Sequence, residues 1–165
     1  MKHLITTLIL LTVTAITLSA QDTFKALSEM KGVETVYISE AMINMSSNAN
    51  KSDKSGRTTI GGVRVNNTSL RHIKNMEIYS CEKQPAVEKA RQVYAEYKKA
   101  HPQAQILVRV KDDDDITEIM ALPGTAPVAY CTLIIYNAEP KEVNIIVING
   151  NFSSNDITTM SKGHY

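Results

Sequence analysis

Four short apolar runs follow one another in the second half of the chain, separated by a few turn-forming residues. The runs cover residues 105–111, 116–122, 127–136 and 143–149. A run of four Asp, a Pro-Gly pair and an Ala-Glu-Pro triplet separate them, and these residues favour turns. Short connections favour antiparallel neighbours, so the pattern predicts a four-stranded meander. The segments TLIIY and VNIIVI are apolar at nearly every position, which is typical of central strands covered on both faces.

A helix is predicted immediately before this meander. Pro85 suits its first turn, and Pro102 ends it after several basic residues that interact favourably with the negative end of the helix dipole. Apolar residues recur between these prolines at the spacing of one helical face: Val87, Ala90, Tyr94 and Tyr97.

Two shorter helices are predicted near the amino terminus. The first is capped by Asp22 or Thr23 and ended by Gly32, which supplies a left-handed backbone position. The second covers residues 40–46 and is expected to contribute two methionines to the core: Met42 and Met45. The same MxxM pair is a pattern that can bind Cu(I), but no third thioether or His is near it in sequence, so no metal site is expected.

A last helix is predicted at the carboxyl end. Ser153 and Asp156 form a capping box, and Phe152 is placed to pack on Ile157 as a hydrophobic staple. Gly163 is expected to end this helix.

Two further strands complete the predicted sheet. Residues 33–39 and 75–81 are rich in β-branched and aromatic side chains. With the meander they give a mostly antiparallel sheet of five to six strands covered by helices. The sequence therefore predicts a two-layer α+β sandwich, formed by a single domain over residues 21–165.

A polar segment interrupts this pattern at residues 46–67. It is rich in Ser, Asn and Lys, and such a composition buries too little apolar surface to offset the entropy of ordering the chain. The segment is therefore expected to be a mobile loop, within which Ile60 and Val63 flank two glycines that suit a small hairpin. Long loops often carry function, and the candidate contact residues of this one are its basic side chains: Lys51, Lys54, Arg57 and Arg64.

The first twenty residues have the pattern of a cleavable signal peptide. A basic start is followed by an apolar stretch and then by small residues. The stretch is shorter than the roughly 20 residues that a membrane-spanning helix needs. Cleavage is expected after Ala20 or one residue earlier, and no Cys near this position is available for lipid attachment. A periplasmic or secreted protein, without stable membrane insertion after cleavage, is predicted.

Composition and charge exclude several classes of protein. The chain has 165 residues, 43% of them hydrophobic, which suits one globular domain and not a fibrous or disordered chain. Loss of Lys2 with the leader reduces the 18 basic residues to 17, which balances the 17 acidic ones. No nucleic-acid partner is therefore expected.

The two cysteines allow two interpretations. Cys81 and Cys131 could form a disulfide in an exported protein, which would stabilise the fold by about 3 to 4 kcal/mol. The alternative is a pair of small buried side chains, because both lie on predicted strands and a bond needs Cα atoms within about 7 Å.

Catalytic and cofactor-binding patterns are not found in the sequence. Of the four His, only His72 remains as a candidate base, and no GxSxG elbow, CxxC or HExxH accompanies it. The Asp run at residues 112–115 does not reproduce the spacing of a calcium loop and suits a hairpin turn. We therefore expect no catalytic residues, no metal and no cofactor, and no enzymatic activity.

Three segments resemble one known family: VYISEAMINM, NMEIYSCEK and VNIIVINGNFSSNDITTMSK. They are similar to a family of small exported bacterial proteins, the domain of unknown function DUF4252, in the order of strand, short helix, variable loop, second strand and late strand with a helix cap. The resemblance implies an envelope location in bacteria of the Bacteroides type and a link to envelope signalling. It implies no catalytic residue.

Three functions are compatible with these observations. The first is a non-catalytic module that binds an envelope protein or peptide, because the outer strands of the predicted sheet can accept an added strand. The second is a carrier with an apolar pocket between helices and sheet. The third is an enzyme that depends on Cys81 or Cys131. The sequence favours the first and does not identify the partner or the oligomeric state.

Overall fold

The computed structural model describes residues 20–49, 57–60, 63–66 and 70–161. The helices in these ranges are α1 (Ala20–Ser28), α2 (Glu40–Ala49), α3 (Gln84–Ala100) and α4 (Ser154–Ser161). The strands are β1 (Val33–Ser39), β2 (Arg57–Ile60), β3 (Val63–Asn66), β4 (Ile73–Cys81), β5 (Gln105–Asp112), β6 (Asp115–Pro123), β7 (Tyr130–Ala138) and β8 (Val143–Phe152).

Six of these strands form one antiparallel sheet in the order β1-β4-β8-β7-β6-β5. Strands β5 to β8 are consecutive antiparallel neighbours, which confirms the predicted meander. The remaining two strands form a separate hairpin in which Ile60 pairs with Val63, as the two glycines between them suggested. The α+β sandwich predicted from the sequence is confirmed, with β1 and β5 as the two edges of the sheet.

One face of the sheet is covered by α1 and α3, and we call it the α3 face. Phe24 and Leu27 of α1 and Val87 and Tyr97 of α3 are fully or almost fully buried against it. The ring of Phe24 lies 5.1 Å from that of Tyr97, so the two helices share one apolar layer. Burial of this layer is the main stabilising contribution of both helices.

The opposite face is covered by α2 and α4, and we call it the α2 face. Ile43 of α2, Leu70 and Phe152 are fully buried in its apolar cluster, and Ile157 of α4 packs against the same cluster. Strand β8 contributes to both clusters, since Ile145 and its neighbours alternate between the two faces. This alternation explains why the run VNIIVI is apolar at almost every position.

The predicted helix signals have mixed outcomes. Asp156 accepts hydrogen bonds from the backbone N–H of Ser153 at 2.8 Å and from its hydroxyl at 2.6 Å, which confirms the capping box. Gly32 has the predicted positive φ, 91°, but it lies in the turn before β1 and does not end α1, which already ends at Ser28. Asp22 and Thr23 are not caps, however, because α1 already includes them. Burial of the later residues Phe24 and Leu27 anchors α1, so packing and not a local cap decides its extent.

Within the polar segment at residues 46–67, the structure describes residues 46–49, 57–60 and 63–66. Helix α2 continues to Ala49, although Ser and Asn are weak helix formers. The fully buried Ile43 anchors this helix to the sheet. Strands β2 and β3 occupy much of the second half of the segment, where β2 contacts α2 and β3 contacts α4.

Gly150 marks the tightest backbone approach in the α2 face. A Cβ at this position would overlap the carbonyl oxygen of His72 and lie 2.6 Å from the ring of Phe152. The next residue, Asn151, donates its backbone N–H to the same carbonyl at 2.8 Å. The turn that precedes β4 is therefore in direct backbone contact with β8.

Gly150→Ala is expected to lower the free energy of unfolding by about 2 kcal/mol or more, because backbone must move to accept the methyl group. Urea unfolding followed by circular dichroism measures this effect. Asn151→Ala is the matched control, since it changes an exposed side chain and keeps the backbone hydrogen bond, and it should shift stability by less than about 0.5 kcal/mol. Equal stability of Gly150→Ala and the wild type would contradict the close approach.

Candidate functional site

Exposed large apolar side chains are concentrated at the edges of the sheet and on α2. Among the described residues they are Val36, Tyr37, Met42, Met45, Ile106 and Val110. Four of these six lie within ten consecutive residues that form β1 and the start of α2. Val36 and Tyr37 point to opposite faces of the sheet, so exposed apolar side chains lie on both sides of the β1 edge, where an interaction surface is a candidate.

The two methionines correct a prediction made from the sequence. Met42 and Met45 are 56% and 67% exposed, so they do not fill the core. Ile43 takes that position and is fully buried. The helical spacing was compatible with either face, and the β-branched residue faces the sheet.

Strand β1 is a regular edge with few features that would oppose an added strand. All seven of its residues pair with β4 in one uninterrupted register, from Val33 opposite Cys81 to Ser39 opposite Asn75. Its other side has no neighbouring strand in the part of the chain that the structure describes. Alternate N–H and C=O groups of such an edge point outward and can pair with an added strand. It contains no Pro, Lys or Arg, and Glu34 is its single charged residue, so few of the features that oppose an added strand are present.

Strand β5, at the opposite edge of the sheet, has features that oppose the pairing of a further strand. Its register with β6 shifts between Ile106 and Val108, and a bulge of this kind bends an edge away from flat pairing. It also carries Arg109 and Lys111. Of the two edges, β1 is therefore the better site for strand addition.

On the α2 face, an aliphatic row crosses all six strands and ends at the exposed edge. It consists of the cross-strand neighbours Val36, Ile78, Ile146, Ile135, Ile119 and Val108. Ile78 and Ile146 are buried, whereas Val36 is 39% exposed. A residue on an added strand that faced Val36 would extend this row by one position.

On the α3 face, the edge strand carries Tyr37 beside a buried carboxylate. Tyr37 is 59% exposed and pairs directly with Glu77 of β4, which is only 5% exposed. One carboxylate oxygen of Glu77 accepts a hydrogen bond from the Tyr79 hydroxyl at 2.5 Å. The other oxygen, Oε1, is buried and has no hydrogen-bond partner among the described residues. Burial, followed by this bond to Glu77, raises the pKa of Tyr79 far above its usual value.

A second buried glutamate, Glu118 of β6, has a complete set of donors. Its oxygens accept hydrogen bonds from Tyr94 at 2.8 Å, Lys98 at 3.1 Å and Arg109 at 2.9 Å. Burial alone would raise the pKa of Glu118, but the hydrogen bonds and the positive charges of Lys98 and Arg109 lower it overall. Of these two buried carboxylates, Glu77 is therefore the one with an oxygen that lacks a hydrogen-bond donor among the described residues.

The basic residues proposed for the contact loop are only partly described. Lys51 and Lys54 lie outside the described residues. Arg57 pairs with Asn66, and Arg64 with Thr59, so these two lie on opposite strands of the hairpin.

The disulfide alternative for the cysteines is wrong, because both thiols are free. Strand β8 separates β4 from β7, and Cys81 lies level with Ala138 of β7 through Val143. Cys131 is at the far end of β7, roughly 23 Å away along the strand at about 3.3 Å per residue. Burial raises the pKa of Cys81 to about 11, which disfavours the reactive thiolate.

His72 is directed to a structural partner. Its Nε2 lies 3.8 Å from a carboxylate oxygen of Asp156, which also forms the capping box of α4 with Ser153. The Cys131 thiol donates to the carbonyl oxygen of Pro123 at 3.4 Å.

Across the described ranges, no three His, Cys, Asp or Glu side chains are grouped as metal ligands would be. In the same ranges, no helix has the length and apolarity needed to cross a bilayer.

Comparison with known proteins gives one match. The model of a family described as a domain of unknown function, DUF4252, matches residues 24–160. No curated protein and no solved structure matches the chain.

Glu118→Gln is expected to lower stability at neutral pH by about 1 to 3 kcal/mol, because it leaves two cations near an uncharged amide. The wild-type pKa is lowered in the folded state, so the contribution of this group is present above the unfolded pKa of about 4.3 and is lost as pH falls through the folded value. The variant should therefore lose less stability than the wild type on acidification. Melting temperatures between pH 3 and 7 test this, with the exposed Glu88→Gln as control; parallel curves for Glu118→Gln and the wild type would contradict it.

Alkylation should distinguish the two thiols. In the folded protein Cys131, which is partly exposed, should react with iodoacetamide before Cys81, which is fully buried. In denaturant without reductant, mass spectrometry should show both thiols labelled. Absence of labelling under that condition would restore the disulfide.

Proposed function

The chain belongs to the DUF4252 family, and we propose that it is an exported, non-catalytic module that binds an extended segment of an envelope protein or peptide by strand addition at β1. The observation that carries the proposal is the regular edge of β1 without a neighbouring strand among the described residues, flanked by the exposed side chains of Val36, Tyr37, Met42 and Met45.

Both parts of this edge contribute to binding. Backbone groups of β1 give affinity for any extended chain, whereas pockets for alternate side chains give specificity. The methionines of α2 add a flexible apolar surface that adapts to different partners. The hairpin contacts α2 through β2, so the basic segment at residues 46–67 is a second contact region in this proposal.

Export is proposed from the leader at the amino terminus. Cleavage after Ala20 would keep Phe24 and Leu27, the two fully buried residues with which α1 packs on the sheet. The mature protein would then function in the periplasm or outside the cell, and a bacterial envelope of the Bacteroides type is the proposed setting. A role in envelope signalling would follow if strand addition reports the presence of the partner.

The other two functions have less support. A carrier needs a cavity between helices and sheet, and the layer under α1 and α3 is occupied by a cluster of packed side chains that includes Tyr94, Ile134 and Ile145. A cysteine enzyme needs an activated thiol, whereas burial raises the pKa of Cys81 and Cys131 donates to a backbone oxygen.

The proposal is tested with randomised seven-residue peptides displayed on phage and selected on the mature protein. Backbone amide shifts should place the selected peptide at β1. Val36→Lys should weaken binding by at least about tenfold, because a charge on the edge opposes strand pairing. Val110→Lys is the matched control on the opposite edge and should bind as the wild type does.

Two results would contradict the proposal. One is a selected peptide that shifts amides elsewhere and binds Val36→Lys normally. The other is a mature protein that dimerises in sedimentation experiments and loses this dimer in Val36→Lys, since β1 would then pair with a second copy of the chain.

A further inference from the structure

We propose that the segment added at β1 carries an arginine or lysine beside Tyr37, and that this cation binds the free oxygen of Glu77. The inference rests on the proposed function and specifies the chemistry of its ligand. It makes the α3 side of the β1 edge a cation-binding site that selects basic extended segments.

The first observation is that one carboxylate oxygen of Glu77 is buried without a hydrogen-bond donor among the described residues. Its side chain is almost fully buried, yet Oε1 has no donor among the described residues and Oε2 has only the Tyr79 hydroxyl. A buried carboxylate oxygen without a partner costs free energy that a new donor would recover.

The second observation is the arrangement at the other edge of the same face. Glu77 and Glu118 are each on the strand next to an edge strand, β4 beside β1 and β6 beside β5. Each accepts a hydrogen bond from a buried tyrosine. Glu118 also accepts a hydrogen bond from Arg109, which lies on the edge strand β5 and is the direct cross-strand partner of Glu118. The corresponding partner of Glu77 is Tyr37, which supplies no positive charge.

The complete site shows how a tyrosine and a cation combine. Nζ of Lys98 lies 4.8 Å from the centre of the Tyr94 ring and 3.1 Å from a carboxylate oxygen of Glu118. A cation held over an aromatic ring beside a carboxylate gains from both. Tyr37 and Glu77 provide the same two groups at the β1 edge, without the cation.

Strand geometry places an added side chain within reach. A residue beside Tyr37 on a strand paired with β1 would be two strand spacings, roughly 9.6 Å, from Glu77. A glutamate side chain turned toward β1 would cover part of this distance, and the long stem of an arginine or lysine would cover the rest while packing along the exposed ring of Tyr37.

The neighbouring positions of the ligand follow from the opposite face. Residues before and after the cation would point to the α2 face, where one of them meets Val36 at the end of the aliphatic row. A β-branched apolar residue suits that position. The preferred segment therefore alternates, with a basic residue over Tyr37 and an apolar residue beside Val36.

The peptide selection is repeated on the wild type, Glu77→Gln and Glu34→Gln, the last being an exposed carboxylate on β1 that faces the α2 side. We expect peptides from the wild type to carry Arg or Lys at one fixed position. Glu77→Gln should lose this enrichment and bind a selected Arg peptide at least about tenfold more weakly, whereas Glu34→Gln should behave as the wild type does.

A change in the peptide provides a test that leaves the protein intact. Replacing the selected Arg by citrulline, which keeps the shape and removes the charge, should weaken binding to the wild type by a similar factor. If Glu77→Gln does not fold, this measurement on the wild-type protein still tests whether the positive charge of the peptide contributes to binding.

The outcomes separate this inference from the proposed function. Peptides that bind at β1 without preference for a basic residue would overturn the inference and leave strand addition intact. The inference would also fail if the preference disappeared in Glu34→Gln and persisted in Glu77→Gln, because a surface carboxylate would then attract the cation. Absence of any peptide bound at β1 would overturn both.

Discussion

The central strands of the sheet impose the constraint on which the fold depends, because β7 and β8 are apolar on both faces and both faces must be covered. Helices α1 and α3 cover one face with a continuous buried layer. On the other face the buried cluster lies around Ile43, Leu70 and Phe152. The aliphatic row shares Ile78 and Ile146 with this cluster, runs to Val36 and becomes exposed there. The apolar surface that the sheet needs to bury therefore extends to its β1 edge.

The two edges of the sheet have opposite properties. At β5, a bulge and basic residues oppose further pairing, and Arg109 neutralises the buried Glu118 from within the chain. At β1, the register is regular and the equivalent carboxylate, Glu77, keeps one oxygen without a donor among the described residues. A buried carboxylate needs hydrogen-bond donors. Glu118 receives them from within the chain, whereas one oxygen of Glu77 has none among the described residues. This difference gives the β1 edge both a reason to bind and a preference for what it binds.

Elements with strong local signals could be predicted from the sequence. Turn residues and apolar periodicity predicted the meander and α3, and the pair Ser153 and Asp156 predicted the start of α4, since each signal acts within a few residues. The edge position of β1 and the burial of Glu77 could not be predicted, because both follow from strand order and register between distant segments. Met42 and Met45 were placed wrongly for a related reason: the face that a short helix turns to the sheet is decided by packing. The absence of Lys, Arg and Pro from VETVYIS did not mark β1 as an edge, because the central strands β7 and β8 lack these residues too.

The central claim is that β1 has one free side, and hydrogen exchange of the mature protein resolved to single amides tests it most directly. Amides of β1 should alternate, with those directed to β4 protected and those directed outward exchanging as rapidly as amides in exposed turns. All amides of β8, which has neighbours on both sides, should be protected. Protection of every amide of β1 in the isolated protein would contradict the account, because it would mean that the edge is already paired.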